Sequence, residues 1–325
     1  MTTAWILALL GAALAYVNGA NDVSKGIATL VGSGVADERR AIAWGTVCTA
    51  LGAVCGATFA SAMVSTFGGG MLVAGTAQTL PAAIATLVGA ASWVLLATRT
   101  GLPVSTTHAI VGAIVGVGAA AYGIDGVRWS ALGTKVFLPL LLTPLVSLSL
   151  VVGLLKFTRG RAVLSETNRT LNALHWLTAG ATSFARGAND GPKIVGLMLA
   201  ASALQRGHAF ARSTLFAVVT LGMVAGSVIA GRRVTNVLSR NVTPMDHREG
   251  FLTNLVTAVL VILGARYGLP MSTTHVSAGG IIGVGLQRDS LDRVTLRSIA
   301  LAWVVTLPAA AGLGLIAYGL IRALS

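Results

Sequence analysis

Charged side chains are scarce in this sequence of 325 residues. They make up 10% of the chain, whereas apolar residues make up 54%. Soluble globular domains carry charge at about 25% of their positions, so the composition excludes an ordinary water-exposed surface. Among the charged residues the acidic ones are the minority, with 10 against 23 lysines and arginines. The sequence therefore predicts a chain that lies mostly within a bilayer.

Cysteines are also rare, and only Cys48 and Cys55 are present. This number excludes a disulfide-stapled scaffold. On one helix a spacing of seven residues also places the two thiols too far apart for an unstrained disulfide. We expect both to be small buried residues.

Long apolar stretches, in contrast, are abundant, and 40 glycines accompany them. A transmembrane helix needs about 20 consecutive apolar residues, and close packing of such helices favours small residues. The stretches that approach or exceed this length are Met1–Leu30, Ala41–Phe67, Thr134–Phe157, Ser213–Ala230 and Arg297–Ile321. We expect an all-α polytopic membrane protein whose partner is the lipid bilayer.

The basic residues lie in short hydrophilic gaps between these stretches, such as Lys156–Arg169 and Arg232–Arg248. Because they form no amphipathic face, the net charge of +13 does not indicate a nucleic-acid partner. An excess of lysine and arginine in short cytoplasmic loops explains it. The Lys156–Arg169 loop is the strongest candidate for a cytoplasmic segment.

An internal repeat organises the chain. Gly19-Ala-Asn-Asp22 returns 168 residues later as Gly187-Ala-Asn-Asp190. Gly101–Gly118 returns 167 residues later as Gly268–Gly285, with 12 of 18 positions identical. The sequence therefore predicts two homologous transmembrane halves, residues 1–160 and 173–325, joined by a short basic linker at 161–172.

Each half is predicted to contain a broken helix, a continuous helix, a paired segment and a last helix. In the first half these lie near residues 4–30, 41–66, 76–122 and 131–157. If the paired segment is a re-entrant helical hairpin broken at Thr100–Ser105, three crossings remain. An odd number inverts the second half relative to the first, which is an architecture of secondary transporters. We expect inverted repeats.

The Ser-Thr-Thr segments, residues 105–107 and 272–274, each follow a proline by two residues. Proline disfavours helix before it, and serine or threonine caps the helix after it. Backbone N–H groups, hydroxyls and the positive helix end then form an anion site. The alternative is that these hydroxyls only cap and pack the helices. His108 and His275 fall in the first turn, where a cation is disfavoured, so we expect them to be neutral.

Asp22 and Asp190 lie inside apolar segments, where a carboxylate is a functional candidate by default. A carboxylate faces an anion only when it is protonated or holds a cation. We therefore expect a coupling-ion or proton site, with a bound Na⁺ as the only cofactor-like candidate. Asn21 and Asn189 would add amide ligands, and nearby glycines would permit unwinding. The alternative is a structural ion pair with Lys25 and Lys193, which each lie three residues further on.

Together the duplicated Gly-Ala-Asn-Asp and Pro-x-Ser-Thr-Thr-His segments resemble the inorganic phosphate transporter (PiT) family, in a prokaryotic form. The resemblance implies a Na⁺- or H⁺-coupled phosphate carrier of the cell's inner (plasma) membrane, with re-entrant hairpins around the anion. A homodimer is compatible with the resemblance. By motif match it implies phosphate contacts for Ser105, Thr106, Thr107, Ser272, Thr273 and Thr274, and places Asn21, Asp22, Asn189 and Asp190 at the substrate and cation sites.

The chain departs from this family pattern at Lys25 and Lys193, where asparagine is typical. We hypothesise that the two ammoniums supply fixed positive charge in place of a metal cation; lysine can equally bind the anion directly. A carrier of sulfate or another oxyanion is the nearest alternative function. A channel or an intramembrane enzyme is a further alternative, but every candidate residue occurs in duplicate, whereas a catalytic site needs one nucleophile and one base.

Overall fold

The computed structural model describes residues 2–74, 76, 78–160, 169–204 and 210–324. Apart from one antiparallel bridge between Leu72 and Val127, these residues form helices and loops. The helices of the first half are α1 Thr2–Asp22, α2 Ser24–Gly32, α3 Glu38–Phe59, α4 Ser61–Phe67, α5 Leu80–Thr100, α6 Thr106–Tyr122, α7 Trp129–Leu132 and α8 Leu138–Phe157. Those of the second half are α9 Arg169–Ala203, α10 Arg212–Ala230, α11 Arg232–Asn236, α12 His247–Arg266, α13 Thr273–Arg288 and α14 Arg293–Leu324.

Seven stretches of helix in the described residues are long and apolar enough to cross a membrane, which confirms the predicted polytopic all-α class. They comprise α1 with α2, and α3, α5, α8, α10, α12 and α14. Helix α9 spans 35 residues but carries Arg186, Asp190 and Lys193 near its middle. Large apolar side chains such as Leu141, Ile229 and Val304 point outward, with about 70% exposure. Such an apolar exterior suits contact with lipid.

The two halves are interleaved rather than side by side. Helix α1 of the first half packs along α10 of the second, and α9 packs along α3 in return. The last helices follow the same exchange, since α14 lies against α6 and α8 lies against α13. Each pairing therefore has a counterpart related by the repeat, and in all four pairs a helix of one half packs against a helix of the other.

Gly19 and Gly187 serve this close packing. A Cβ at Gly19 would collide with the backbone carbonyl of Met223 on α10, and a Cβ at Gly187 would collide with that of Thr49 on α3. The expectation that both glycines allow unwinding is wrong for the second half, because α9 continues as helix through Gly187. In the first half the helix is interrupted only at Val23, between α1 and α2.

The paired segment consists of α5 and α6, broken at residues 101–105, and recurs as α12 and α13, broken at 267–272. Helices α6 and α13 have 17 and 16 residues, fewer than the roughly 20 needed to cross a bilayer. Helix α5, with 21 residues, and helix α12, with 20, are by contrast long enough to cross. The arms of each hairpin are therefore unequal.

The structure corrects two further predictions, the burial of Cys55 and the continuity of the second helix. Cys48 is buried as predicted, but Cys55 is exposed, because it lies on the outward face of α3 next to Val54. The predicted helix near 41–66 is divided at Ala60 into α3 and α4. Residues 161–168 of the predicted linker lie outside the described residues, and from Arg169 the chain is already helical.

Candidate functional site

The two hairpin breaks have the same local geometry. Helix α5 ends at Gly101 with a φ of 79°, and α12 is followed by Gly268 with a φ of 67°, values that glycine adopts without a Cβ penalty. Ser105 and Ser272 then cap α6 and α13, each accepting a hydrogen bond at 3.3 Å from the backbone N–H of the histidine three residues on. The capping role proposed for these serines is therefore present.

The two helix starts face one another across the repeat axis. The Thr107 hydroxyl donates to the backbone carbonyl of Met271 at 3.4 Å, and the Thr274 hydroxyl donates to that of Val104 at 2.8 Å. The rings of His108 and His275 stack with centroids 4.4 Å apart. Each hairpin thus contacts the backbone of the other, and the positive ends of two helices lie close together.

Lys25 lies in a cage of oxygen atoms. Its Nζ atom donates to Asp22 Oδ1 at 2.6 Å, to Asn21 Oδ1 at 2.6 Å and to the Asn21 carbonyl at 2.9 Å, with the Val104 carbonyl at 3.4 Å. Carboxylate, amide and carbonyl oxygens are the ligands that hard metal cations take. The ammonium therefore occupies a position chemically suited to a cation.

Lys193 repeats this arrangement in the second half. Its Nζ atom donates to Thr107 Oγ1 at 2.6 Å and to Asp190 Oδ1 and the Met271 carbonyl, both at 3.0 Å. Lys25 and Lys193 are at most 1% exposed. The ion pairs considered as an alternative in the sequence are present in both halves. Each lysine also contacts the hairpin break of its own half, at Val104 or Met271, and Lys193 reaches the opposite helix start through Thr107.

Asn21 and Asn189 tie the motif helices to the hairpin breaks. The Asn21 amide donates to Thr98 Oγ1 and to the Leu102 carbonyl, both at 3.0 Å. The Asn189 amide donates to the Met271 carbonyl at 3.0 Å and to Asp190 Oδ1 at 2.8 Å. Their N–H groups thus hold the hairpin ends in place. The Asn21 side-chain oxygen accepts from Lys25, whereas that of Asn189 has no partner within the described part of the chain.

All twelve side chains chosen from the sequence lie in this one buried cluster, each at most 4% exposed. Thr106 donates to Asp22 Oδ2 at 3.3 Å. Its repeat counterpart, Thr273, has a hydroxyl without a partner among the described residues. The cluster therefore contains two carboxylates, two ammoniums, six hydroxyls and two amides drawn equally from both halves.

Sequence reasoning missed Asn18 and Arg186. The Asn18 amide bridges the two carboxylates, donating to Asp22 Oδ2 at 3.0 Å and to Asp190 Oδ2 at 3.1 Å. Arg186 lies beside it, with Nη1 at 3.5 Å from the Asn18 carbonyl oxygen. The signal was available, because the repeat offset of 168 aligns Asn18 with Arg186 directly before the Gly-Ala-Asn-Asp motifs.

A cavity of about 400 Å³ lies near the cluster, separated from it by one hydrogen-bonded residue. Thr98, which accepts the hydrogen bond from Asn21, forms part of its wall. Three arginines, Arg99, Arg232 and Arg233, also line it, together with Tyr16 and apolar residues. We call this cavity the basic vestibule. The repeat counterpart of Arg99 is Arg266, at the tip of the other hairpin.

The sequence matches the model of the phosphate transporter family twice, over residues 18–167 and 159–314. A relative from Mycobacterium bovis, named a probable low-affinity inorganic phosphate transporter, is 30% identical; the alignment covers 98% of this chain and 77% of the relative. A relative from Pyrococcus furiosus, named a putative phosphate permease, is 27% identical, with 94% of this chain and 93% of the relative covered. These relatives are transporters and permeases, which confirms the prediction that the chain is not an enzyme.

The fold is also that of a solved structure described as the sodium-dependent phosphate transporter. The two share a TM-score of 0.89 over the full length of both chains, at 24% identity. Two successive family matches agree with the duplication found in the sequence. The chain is therefore a multi-pass membrane protein that belongs to the phosphate transporter family.

Proposed function

We propose that this chain is a secondary active carrier of inorganic phosphate in the cell's inner membrane, with the anion held between the helix starts of α6 and α13. The observation that carries the proposal is the convergence of hydroxyls, helix N-termini and buried lysines from both halves. Ser105, Thr106 and Thr107 would meet phosphate from one side, and Ser272, Thr273 and Thr274 from the other. Donors on opposite sides suit a tetrahedral oxyanion.

Duplicated, interleaved halves support alternating access by this fold. If both hairpins turn back at their breaks, so that neither α5 nor α12 crosses, three crossings remain per half and the repeats are inverted. The site then lies where the two repeats meet, and movement of one set of helices against the other would expose it alternately to the two membrane faces.

The coupling ion is the proton rather than Na⁺ in our proposal. Lys25 and Lys193 each hold the oxygen atoms that would otherwise surround a metal cation. Asp22 and Asp190 then serve as the proton-accepting members of two Asp–Lys pairs. Bound Na⁺ at these carboxylates is the alternative, and the solved relative is described as sodium-dependent.

The test is accumulation of labelled phosphate by the purified protein in liposomes under an imposed ion gradient, with unlabelled sulfate as competitor. Asp22→Asn should abolish accumulation, whereas Asp125→Asn, which removes an exposed carboxylate far along the chain, should leave it unchanged. Accumulation abolished by sulfate, or better accumulation of labelled sulfate, would show that the substrate is another oxyanion.

A further inference from the structure

Arg186 is the largest wholly buried side chain in the described part of the structure. Only its Nη1 atom has a partner, the Asn18 carbonyl at 3.5 Å, a long hydrogen bond. The Nε and Nη2 atoms have none among the described residues. A buried donor without a partner is destabilising, and more so when it is charged. Two such atoms on one guanidinium therefore point to a group that the protein itself does not supply.

The carboxylates near Arg186 are already engaged. Asp22 pairs with Lys25 and Asp190 pairs with Lys193, while Asn18 donates to both. Arg186 interacts with the two carboxylates electrostatically but forms an ion pair with neither. Its charge is thus left over after the two Asp–Lys pairs are formed.

The formal charges make the same point. The cluster holds the cations of Lys25, Lys193 and Arg186 against the carboxylates of Asp22 and Asp190, an excess of one positive charge. An uncompensated charge in a low-dielectric interior costs several kcal/mol. A bound monoanion removes this excess, whereas a dianion such as sulfate replaces it with one negative charge.

We propose that Arg186 binds the transported oxyanion directly and selects phosphate in its monoanionic form. The inference rests on the proposed phosphate transport and assigns the residue that sets its charge selectivity. The planar guanidinium fork matches two oxygens of a phosphate, which neither lysine can do. Because Asn18 occupies the same place in the other half, this contact comes from one side of the site only.

The test is equilibrium binding of labelled phosphate to the purified full-length protein in sodium-free buffer. Arg186→Asn, which copies its repeat counterpart, should weaken binding by about 100-fold, since a buried charge contact is lost. Arg186→Lys keeps the charge without the fork and should weaken binding by about tenfold. Arg266→Asn, an exposed arginine outside the cluster, is the matched control and should stay within about twofold.

Unchanged phosphate affinity in a monodisperse Arg186→Asn protein overturns the proposal. Should that variant fail to fold, Arg186→Lys decides, because wild-type affinity in it would exclude a role for the fork. Wild-type protein gives a further readout: its affinity for total phosphate should fall as the pH rises through the second ionisation of phosphate, and sulfate should compete poorly. A wild type that prefers the dianion, or that binds phosphate only with Na⁺, also overturns the proposal.

The failure of this inference is distinguishable from that of the proposed function. If wild-type protein binds no phosphate, the transport proposal fails first. If wild type binds phosphate and both Arg186 variants bind it equally well, only the role of Arg186 is wrong.

Discussion

The two halves of the molecule build one site from the same motif but contribute different charges. Each half supplies an Asp–Lys pair, a capping serine and threonines at a helix start. The position before Gly-Ala-Asn-Asp is neutral Asn18 in one half and cationic Arg186 in the other. In our proposal the symmetric residues provide donors on two sides of the anion, and Arg186, which differs from its repeat counterpart Asn18, sets the net charge.

The largest expected effect comes from removing either carboxylate. Asp22→Asn or Asp190→Asn leaves a buried lysine without its partner, which costs about 3–5 kcal/mol. We expect both variants to lose phosphate uptake and to unfold at clearly lower temperature, measured in detergent by thermal unfolding.

The double variant Asp22→Asn with Lys25→Met separates stability from transport. It should recover much of the lost stability, because no unpaired charge remains, but it should not recover uptake. Recovery of both would show that the pair is only structural. A large difference in uptake or unfolding temperature between Asp22→Asn and Asp190→Asn would contradict the proposed equivalence of the two Asp–Lys pairs.

Replacing the ammoniums tests whether they stand in for a metal cation. Lys25→Asn and Lys193→Asn should each reduce uptake in sodium-free medium by about tenfold or more, since a charge contact of the cluster is lost. NaCl should restore part of it, because the oxygen cage is left open to a cation. Uptake by proteoliposomes in choline and sodium media measures this. If wild-type uptake strictly requires Na⁺ and Lys25→Asn leaves that requirement unchanged, the hypothesis is wrong.

The threonines at the helix starts should differ between the halves. Thr107 accepts from Lys193 and donates to Met271, whereas Thr274, among the residues that the structure describes, bonds only to the Val104 carbonyl. A hydrogen bond to a charged group is worth about 1.5–3 kcal/mol, against about 1 for a neutral one. Thr107→Val should therefore weaken phosphate binding more than Thr274→Val, as measured by equilibrium binding. The reverse order would contradict the hydrogen-bond assignment.

The smallest effect is expected at the basic vestibule. Arg99→Gln combined with Arg233→Gln should raise the KM for phosphate about two- to fivefold at low salt and leave kcat unchanged, because surface charge concentrates an anion without touching the bound state. Arg266→Gln at the other hairpin tip is the control. The KM for phosphate is measured in transport assays at low and high ionic strength. If the double variant and Arg266→Gln change the KM equally at every ionic strength, the vestibule has no special role.

Much of the fold followed from the sequence because its signals are local or repeated. Proline and Ser-Thr-Thr placed the hairpin breaks within a few residues, and the repeat offset paired the halves. Gly19 and Gly187 were misread because sequence shows that a glycine is present, not whether it serves an unusual φ or a close helix contact. The structure shows the contact, with Met223 and Thr49, which are distant in sequence.

The sequence identified the symmetric residues of the buried cluster and missed the asymmetric pair, Asn18 and Arg186. Lys25 and Lys193 were recognised because both break the same pattern. Arg186 lies next to the motif but outside it, and its lack of partners depends on how Asn18, Asp22 and Asp190 are arranged in three dimensions. No local sequence pattern shows whether a buried arginine lacks partners. The repeat alignment shows only that Arg186 stands where the first half has Asn18.

The most direct test of a carrier whose own cations replace sodium is phosphate uptake into liposomes prepared without sodium on either side. An inward proton gradient should then drive accumulation of labelled phosphate, and added Na⁺ should not increase it. Absence of uptake until Na⁺ is supplied, with no response to the proton gradient, would contradict the account.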